Sequence, residues 1–258
     1  MKYILLIILT FYAQQLFACE CESEQFMNLF TRSDFIATAR ILEITPDSEN
    51  ENRHYSKIEI IDLYKGEHIT NLIIYSNLNS SCAFLPPENS LWLLFANKNK
   101  NGEVGIGFCS GSQQMDRKFK NDRNSRADKN HKKSNNRKIQ FLEYLKSVAI
   151  EPKNEFELGF LIEPGSLKKF NNIAVKGDRF ALYELTINKD LTIKTVKALK
   201  EFDNEKLKAD LLQSVFENIK IYHPKSEKEI KNETKIIIGL HYYEADKKYE
   251  SFISQHAL

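Results

Sequence analysis

Charge of one sign is the first thing this chain lacks: its 258 residues hold 37 lysines and arginines against 35 aspartates and glutamates, a net charge of +2. No global field therefore draws in a nucleic acid or another polyanion. Beyond residue 18 it also lacks any apolar run approaching the about 20 residues of a membrane-spanning helix. The six histidines, His54, His68, His131, His223, His241 and His256, are scattered, and no His-Glu-x-x-His pair builds a zinc enzyme from them. Cysteine is scarce. Of the four, Cys82 and Cys109 stand alone, whereas a four-cysteine zinc site is normally made from two close pairs.

What is present starts at the leading end. Met1 to Ala18 reads as an export signal: Lys2 supplies the positive start, Tyr3 to Ala13 is almost unbroken apolar sequence, and Ala18 is a small residue at the cut. Removal of residues 1–18 makes Cys19 the first residue, and its amine and carbonyl oxygen then form a five-membered chelate for a metal ion. Leu16-Phe17-Ala18-Cys19 also resembles a bacterial lipobox, with a bulky Phe17 where a small or branched residue is usual. Acylation would block the amine, so a lipid anchor and chelation by Cys19 exclude each other. The expected location is secreted or periplasmic, and the only membrane attachment would be a lipid on Cys19.

Four cysteines in an exported chain favour two disulfides. A bond between Cys19 and Cys21 is strained, which leaves two connectivities, each joining one of this pair to Cys82 and the other to Cys109. Bridges of this span close long loops, each worth roughly 4 kcal/mol in the chain-entropy model.

The first part of the chain reads as strands behind a short helix near Phe26 to Phe30. Phe35, Ala37, Ala39 and Ile41 alternate with Thr38 and Arg40. Ile58 and Ile60 share one face while Ile61 and Leu63 share the other, the mark of a bulge within a second strand. Leu72 to Tyr75, Leu91 to Ala96 and Val104 to Phe108 complete five strands, a number that closes into a small barrel. Trp92 is expected in its core.

Between Asp116 and Lys138, ten lysines and arginines face three aspartates and apolar residues nearly vanish. This is read as a solvated loop or exposed helix face leading into a helix over 139–150, packed on the barrel. Only Phe119 offers a stacking ring, so no nucleic acid is expected. Residues 151–171 read as a linker with Pro164-Gly165 as a turn signal. In the last part, Tyr183, Leu185 and Ile187 alternate before an Asn188-Lys189-Asp190 turn, and Ile193 to Leu199 reads as a second strand. Leu207, Leu211, Leu212, Val215, Phe216 and Ile219 then fall at helical spacing behind Asp203 or Asn204 as cap. Ile236, Ile238, Leu240 and Tyr242 alternate in a closing strand, with His241 on its outward side.

Several motifs in the first half agree in order with one family. Cys19-Glu20-Cys21 is followed by Arg32-Ser33-Asp34-Phe35-Ile36-Ala37-Thr38-Ala39-Arg40, then by Tyr55-Ser56-Lys57-Ile58-Glu59-Ile60-Ile61-Asp62-Leu63-Tyr64-Lys65-Gly66, with Cys82 before the fourth strand and Cys109 ending the fifth. The set resembles the netrin-like family that includes the tissue inhibitors of metalloproteinases (TIMPs). The resemblance implies an OB-like barrel with Cys19 bonded to Cys82 and Cys21 to Cys109. It also implies protease contact through Cys19, Glu20, Cys21 and Glu22, with Cys19 ligating, in trans, the zinc of a bound protease. The Asn188-Lys189-Asp190 turn, Tyr222-His223-Pro224 and the closing strand resemble the C-terminal domain of TonB-type energy transducers, whose sheet edge could accept an extended peptide.

The expected fold is therefore α+β. It comprises a signal peptide (1–18), a five-stranded OB-like barrel (19–115), a basic segment and helix on the barrel (116–150), a linker (151–171) and a small ββαβ TonB-like domain (172–258). Gly107-Phe108-Cys109-Ser110-Gly111 imitates a nucleophile elbow, but that chemistry needs a free thiol and a partner histidine in a recognisable setting. The chain is expected to be a non-catalytic protein-binding protein of the envelope that needs no cofactor. The alternative is a metalloprotease inhibitor acting through the free terminus of Cys19.

Overall fold

The computed structural model describes residues 19–21, 24–119, 125–225 and 227–255. The expected export signal over 1–18, Glu22 and His256 lie outside the described residues. The described chain forms two compact units, one built from 19–21 with 34–117 and the other from 24–33 with the rest.

In the first unit, β1 (Phe35–Pro46), β2 (Arg53–Lys65), β3 (Asn71–Tyr75), β4 (Leu91–Lys98) and β5 (Val104–Gly107) follow the order β1-β2-β3-β5-β4. Pairing of β4 with β1, from Phe35↔Ala96 to Arg40↔Leu91, closes them into a barrel. The sheet is mixed, because β3 and β5 run parallel while the other barrel pairs are antiparallel. A two-residue strand, β6 (Gln113–Gln114), adds to β4 and had no signal in the sequence. The alternation expected of β1 understates its burial. Phe35, Ala37, Ala39 and Ile41 fill the barrel core with Ile58, Leu72, Ile74, Leu94 and Ile106, yet Ile36 and Thr38 on the opposite side are buried too.

The bulge in β2 falls where the pattern of isoleucines places it. Thr38 pairs with Asp62 and Ala39 with Ile60, so Ile61 has no opposite residue and turns outward. Trp92 lies in the core, where its indole N–H donates to Ser90 Oγ at 2.7 Å and Phe84 meets its ring edge-on. Gly66 ends β2 at φ +89°, and a Cβ there would stand 2.6 Å from the Asp34 carbonyl oxygen, so only glycine fits.

The second unit contains α1 (Phe26–Arg32), α2 (Ser125–Ser147), β7 (Gly159–Ile162), β8 (Phe180–Ile187), β9 (Ile193–Lys200), α3 (Glu205–Asn218), β10 (Ile219–Tyr222), β11 (Thr234–Tyr243) and β12 (Phe252–Ser254). Its main sheet runs β12-β11-β8-β9, all antiparallel, with β9 at one edge; β7 and β10 pair separately. Asn204 caps α3, its Oδ1 accepting from the N–H groups of Lys206 and Leu207 at 3.0 and 3.2 Å. Leu207, Leu211 and Val215 are buried as their spacing predicts, whereas Phe216 is exposed and Ile219 already belongs to β10.

Three further features depart from the sequence expectation. The basic run is for the most part the first turns of α2, and that helix groups with the second unit: Phe141 meets Phe26 and Phe180, and Tyr144 donates to the Leu199 carbonyl. The stretch expected to link the domains carries β7 and buries Leu158, Phe160 and Phe170 in the same core as Leu185, Leu211 and Ile238. His241 is buried, not outward-facing, because β12 and α2 bring Phe252 and Arg137 against Tyr243, its neighbour on that side of β11. Burial, with Arg137 and Arg179 nearby, pushes its imidazole down to about 3. α2 ends in a Schellman pattern: Ile150 N–H donates to Leu145 and Ala149 N–H to Lys146, with Ala149 in the left-handed region at φ 51°.

Candidate functional site: the tied leading segment

Two loops of the barrel receive the leading cysteines. Cys82 lies in the β3–β4 connection, whose backbone is folded by its own polar residues. Ser80 donates to the Asn77 carbonyl, Cys82 N–H donates to Ser80 Oγ at 3.1 Å, and Phe84 N–H donates to Ser76 Oγ at 2.8 Å. Cys109 sits in the turn after β5, where Ser110 N–H donates to the Gly107 carbonyl and Gly111 takes a positive φ. Ser112 then bonds both backbone groups of Phe95 on β4, which fixes this turn to the barrel wall.

Cys19 is bonded to Cys82 and Cys21 to Cys109, at Cα separations of 5.1 and 5.3 Å, ordinary values for a disulfide. Of the two connectivities open to the sequence, this is the one the family resemblance implies. The bridges span 63 and 88 residues, so each removes roughly 4 kcal/mol of unfolded-state entropy in the loop-closure model. Between them Glu20 is exposed, while Cys19 and Cys21 are half-buried. The backbone nitrogen of Cys19 donates to Ser81 Oγ at 3.0 Å. Three consecutive residues are thus held at both flanks against the barrel, with one carboxylate displayed at their centre. Glu22, the fourth residue expected to touch a protease, lies outside the described residues.

This arrangement replaces two competing chemistries. All four sulfurs are consumed in bridges, so the four-cysteine zinc site does not form, and Cys109 has no thiol to act as a nucleophile. The segment after Cys109 is a turn leading to β6 and not the helix that an elbow requires. Among the described residues, no group of three or more His, Cys, Asp or Glu side chains is placed to hold a metal ion. The histidines are dispersed by the fold as by the sequence: His68 is exposed, His131 bonds Asn135, His223 faces Glu227 at 3.8 Å, and His54 and His241 are buried.

No protein-family model matches the chain, and no curated protein matches it either. The two disulfides are consistent with an extracellular or periplasmic location. Sequence reasoning did not find Ser81, the hydrogen-bond acceptor at Cys19. A serine in a polar loop carries no signal until a distant backbone nitrogen is folded against it.

Proposed function

We propose that this is an exported, non-catalytic protein-binding protein of the cell envelope. In this reading a TIMP-like barrel displays its tied leading segment, and a TonB-like module supplies a sheet edge. The observation that carries the proposal is the exposed Glu20 clamped between two disulfide-bonded neighbours. Ordering a flexible segment on binding costs free energy, and a segment already held in place avoids that cost. Support for the second module comes from the order β8, β9, α3, β10, β11, in which β10 pairs with β7 outside the main sheet, and from the position of β9 at the edge of that sheet, where strand addition is open. The leading lysines Lys194 and Lys197 on that edge also keep it from pairing indiscriminately.

The test is site-specific photo-crosslinking in the native cell. A photoreactive residue at position 20 is expected to trap a discrete protein adduct, while the same residue at exposed Glu59 does not. Equal labelling at both positions, or none at position 20, refutes the reading.

One observation favours a second reading, metalloprotease inhibition. The backbone nitrogen of Cys19 donates to Ser81 Oγ and its sulfur is bridged to Cys82, so the residue whose freed amine and carbonyl would ligate zinc in this reading is fixed to the barrel. Protein starting at Cys19 is then expected to inhibit a zinc protease, and one added alanine ahead of Cys19 is expected to abolish the effect. Inhibition that survives the added residue rules out chelation by that amine.

A further inference from the structure

α2 is longer than the core it serves. Its buried apolar residues are Phe141, Leu142 and Leu145, all in the last two turns, and among the described residues from Arg126 to Gln140 no apolar side chain is buried. The turns ahead of Phe141 therefore owe little to packing, and a helix held by propensity alone is marginal in water. Their charges weaken it further. Arg126, Lys129 and Lys133 recur at i, i+3 and i+7 with Lys132 beside them, and all four are exposed. Like charges three or four residues apart repel along a helix, and cations in its leading turns oppose the helix dipole. Asp128 is the one acid between Ser125 and Asn136, and its Oδ1 accepts from the Phe119 N–H at 2.9 Å. The carboxyls of Glu244 and Asp246 lie in the field of Lys133, and that of Asp246 also in the field of Arg126. Both are engaged elsewhere: Glu244 ion-pairs with Arg179, and Asp246 accepts from the N–H groups of Lys248 and Tyr249. Lys129 and Lys132, further round the helix, form no ion pair with a described residue.

We propose that the exposed side of these turns, carried by Arg126, Lys129, Lys132 and Lys133, docks an acidic segment of a protein partner. Carboxylates laid along it offset both the repulsion and the opposed dipole, which Asp128, Glu244 and Asp246 do only in part. The four cations span about 10 Å of helix axis. Three to four extended residues reach about as far, so a run of about four aspartates or glutamates matches them. The same turns argue against other anionic partners. A helix that lies on a lipid surface turns an apolar side to the acyl chains, whereas the side away from these cations carries Ala127, His131, Ser134 and Asn135. Single-stranded nucleic acid needs stacking rings as well as charge, and Phe119 is half-buried in T-shaped contact with His131. The inference rests on the reading of the chain as protein-binding, but it concerns residues other than those tied at Cys19.

The experiment titrates the full chain into a fluorescein-labelled Gly-Glu-Glu-Glu-Glu-Gly peptide and into its glutamine counterpart, reading anisotropy at low and at physiological salt, with amide exchange of the chain measured alongside. The glutamate peptide is expected to bind at least about tenfold more tightly than the glutamine peptide, by a margin that shrinks as salt rises, and to slow exchange over 126–140. Lys129→Gln with Lys132→Gln should weaken it about fivefold, whereas the same loss of charge at exposed Lys228 and Lys231 should leave it unchanged. Lys129→Glu with Lys132→Glu should transfer the preference to a lysine peptide, which a merely destabilised helix would not do. Equal binding of the glutamate and glutamine peptides, or equal weakening by the two lysine pairs, overturns the proposal. So does protection of 126–140 by phosphatidylglycerol vesicles or oligothymidine without protection by the glutamate peptide. Failure here leaves crosslinking at Glu20 untouched, and failure of that crosslinking leaves these titrations untouched.

Discussion

Two residues occupy conformations or surroundings that their chemistry resists, and both give measurable consequences. Ala149 closes α2 in a left-handed conformation that glycine adopts without steric cost. Ala149→Gly is therefore expected to stabilise the second unit by about 0.5–1 kcal/mol, the relief at φ 51° exceeding the entropy that glycine adds to the unfolded chain. Urea denaturation followed by circular dichroism would register it, and an unchanged or lower midpoint contradicts the Schellman assignment. His241 shows the other kind of tension. Unfolded, its imidazole takes a proton near 6.5; folded, it resists until about 3. Between those values the unfolded chain binds more protons, so stability falls as the pH falls through that window, by up to about 1.4 kcal/mol per pH unit. His241→Phe should flatten that part of the pH–stability curve, and an unchanged slope would show that other groups account for it.

At the scale of elements, strand closure and covalent bridging do different work. Backbone pairing of β1 with both β2 and β4 makes the barrel, while the bridges fasten a segment that has no strand or helix of its own. Replacing Cys19 and Cys82 together by serine is expected to lower the stability of the first unit by roughly 4 kcal/mol and to leave β1–β5 pairing recognisable by amide exchange in what remains folded. A loss well under 1 kcal/mol would mean that the unfolded chain is already constrained. Gly66→Ala tests the end of β2. With the Asp34 carbonyl 2.6 Å from the added methyl, the β2 terminus must shift, and a loss of at least about 2 kcal/mol is expected, with Gly102→Ala as the control because no atom lies within 4 Å of its Cβ position.

For the whole molecule, the division into units does not follow the order of the chain. α1 lies in sequence between the cysteines and β1, yet Phe26, Met27, Leu29 and Phe30 belong with the second unit, where Gln25 donates to the Phe160 carbonyl and Asn154 to Asn28. A fragment starting at Asn172 would lack these residues along with Leu158, Phe160 and Phe170 from its core. It is expected to melt without a cooperative transition, whereas the full chain unfolds cooperatively; a sharp transition in the fragment would show that its sheet and α3 suffice.

The pattern of apolar residues by itself determined the five barrel strands, the bulge at Ile61 and the buried face of α3, because alternation and helical spacing act over a few residues. Turn chemistry did the same for the β8–β9 hairpin, where Asp190 and Asn188 bond Thr192 locally. The tied segment was legible as a set of cysteines, but which sulfur meets which was open to the residues alone and settled by where β3 and β5 end. Short strands such as β6 and β12 escaped notice because two or three residues carry no period. The burial of His54 and His241 and the membership of α1 and α2 in the second unit were decided only by tertiary structure. Each of these depends on contacts between residues far apart in the chain, and local spacing holds no record of them.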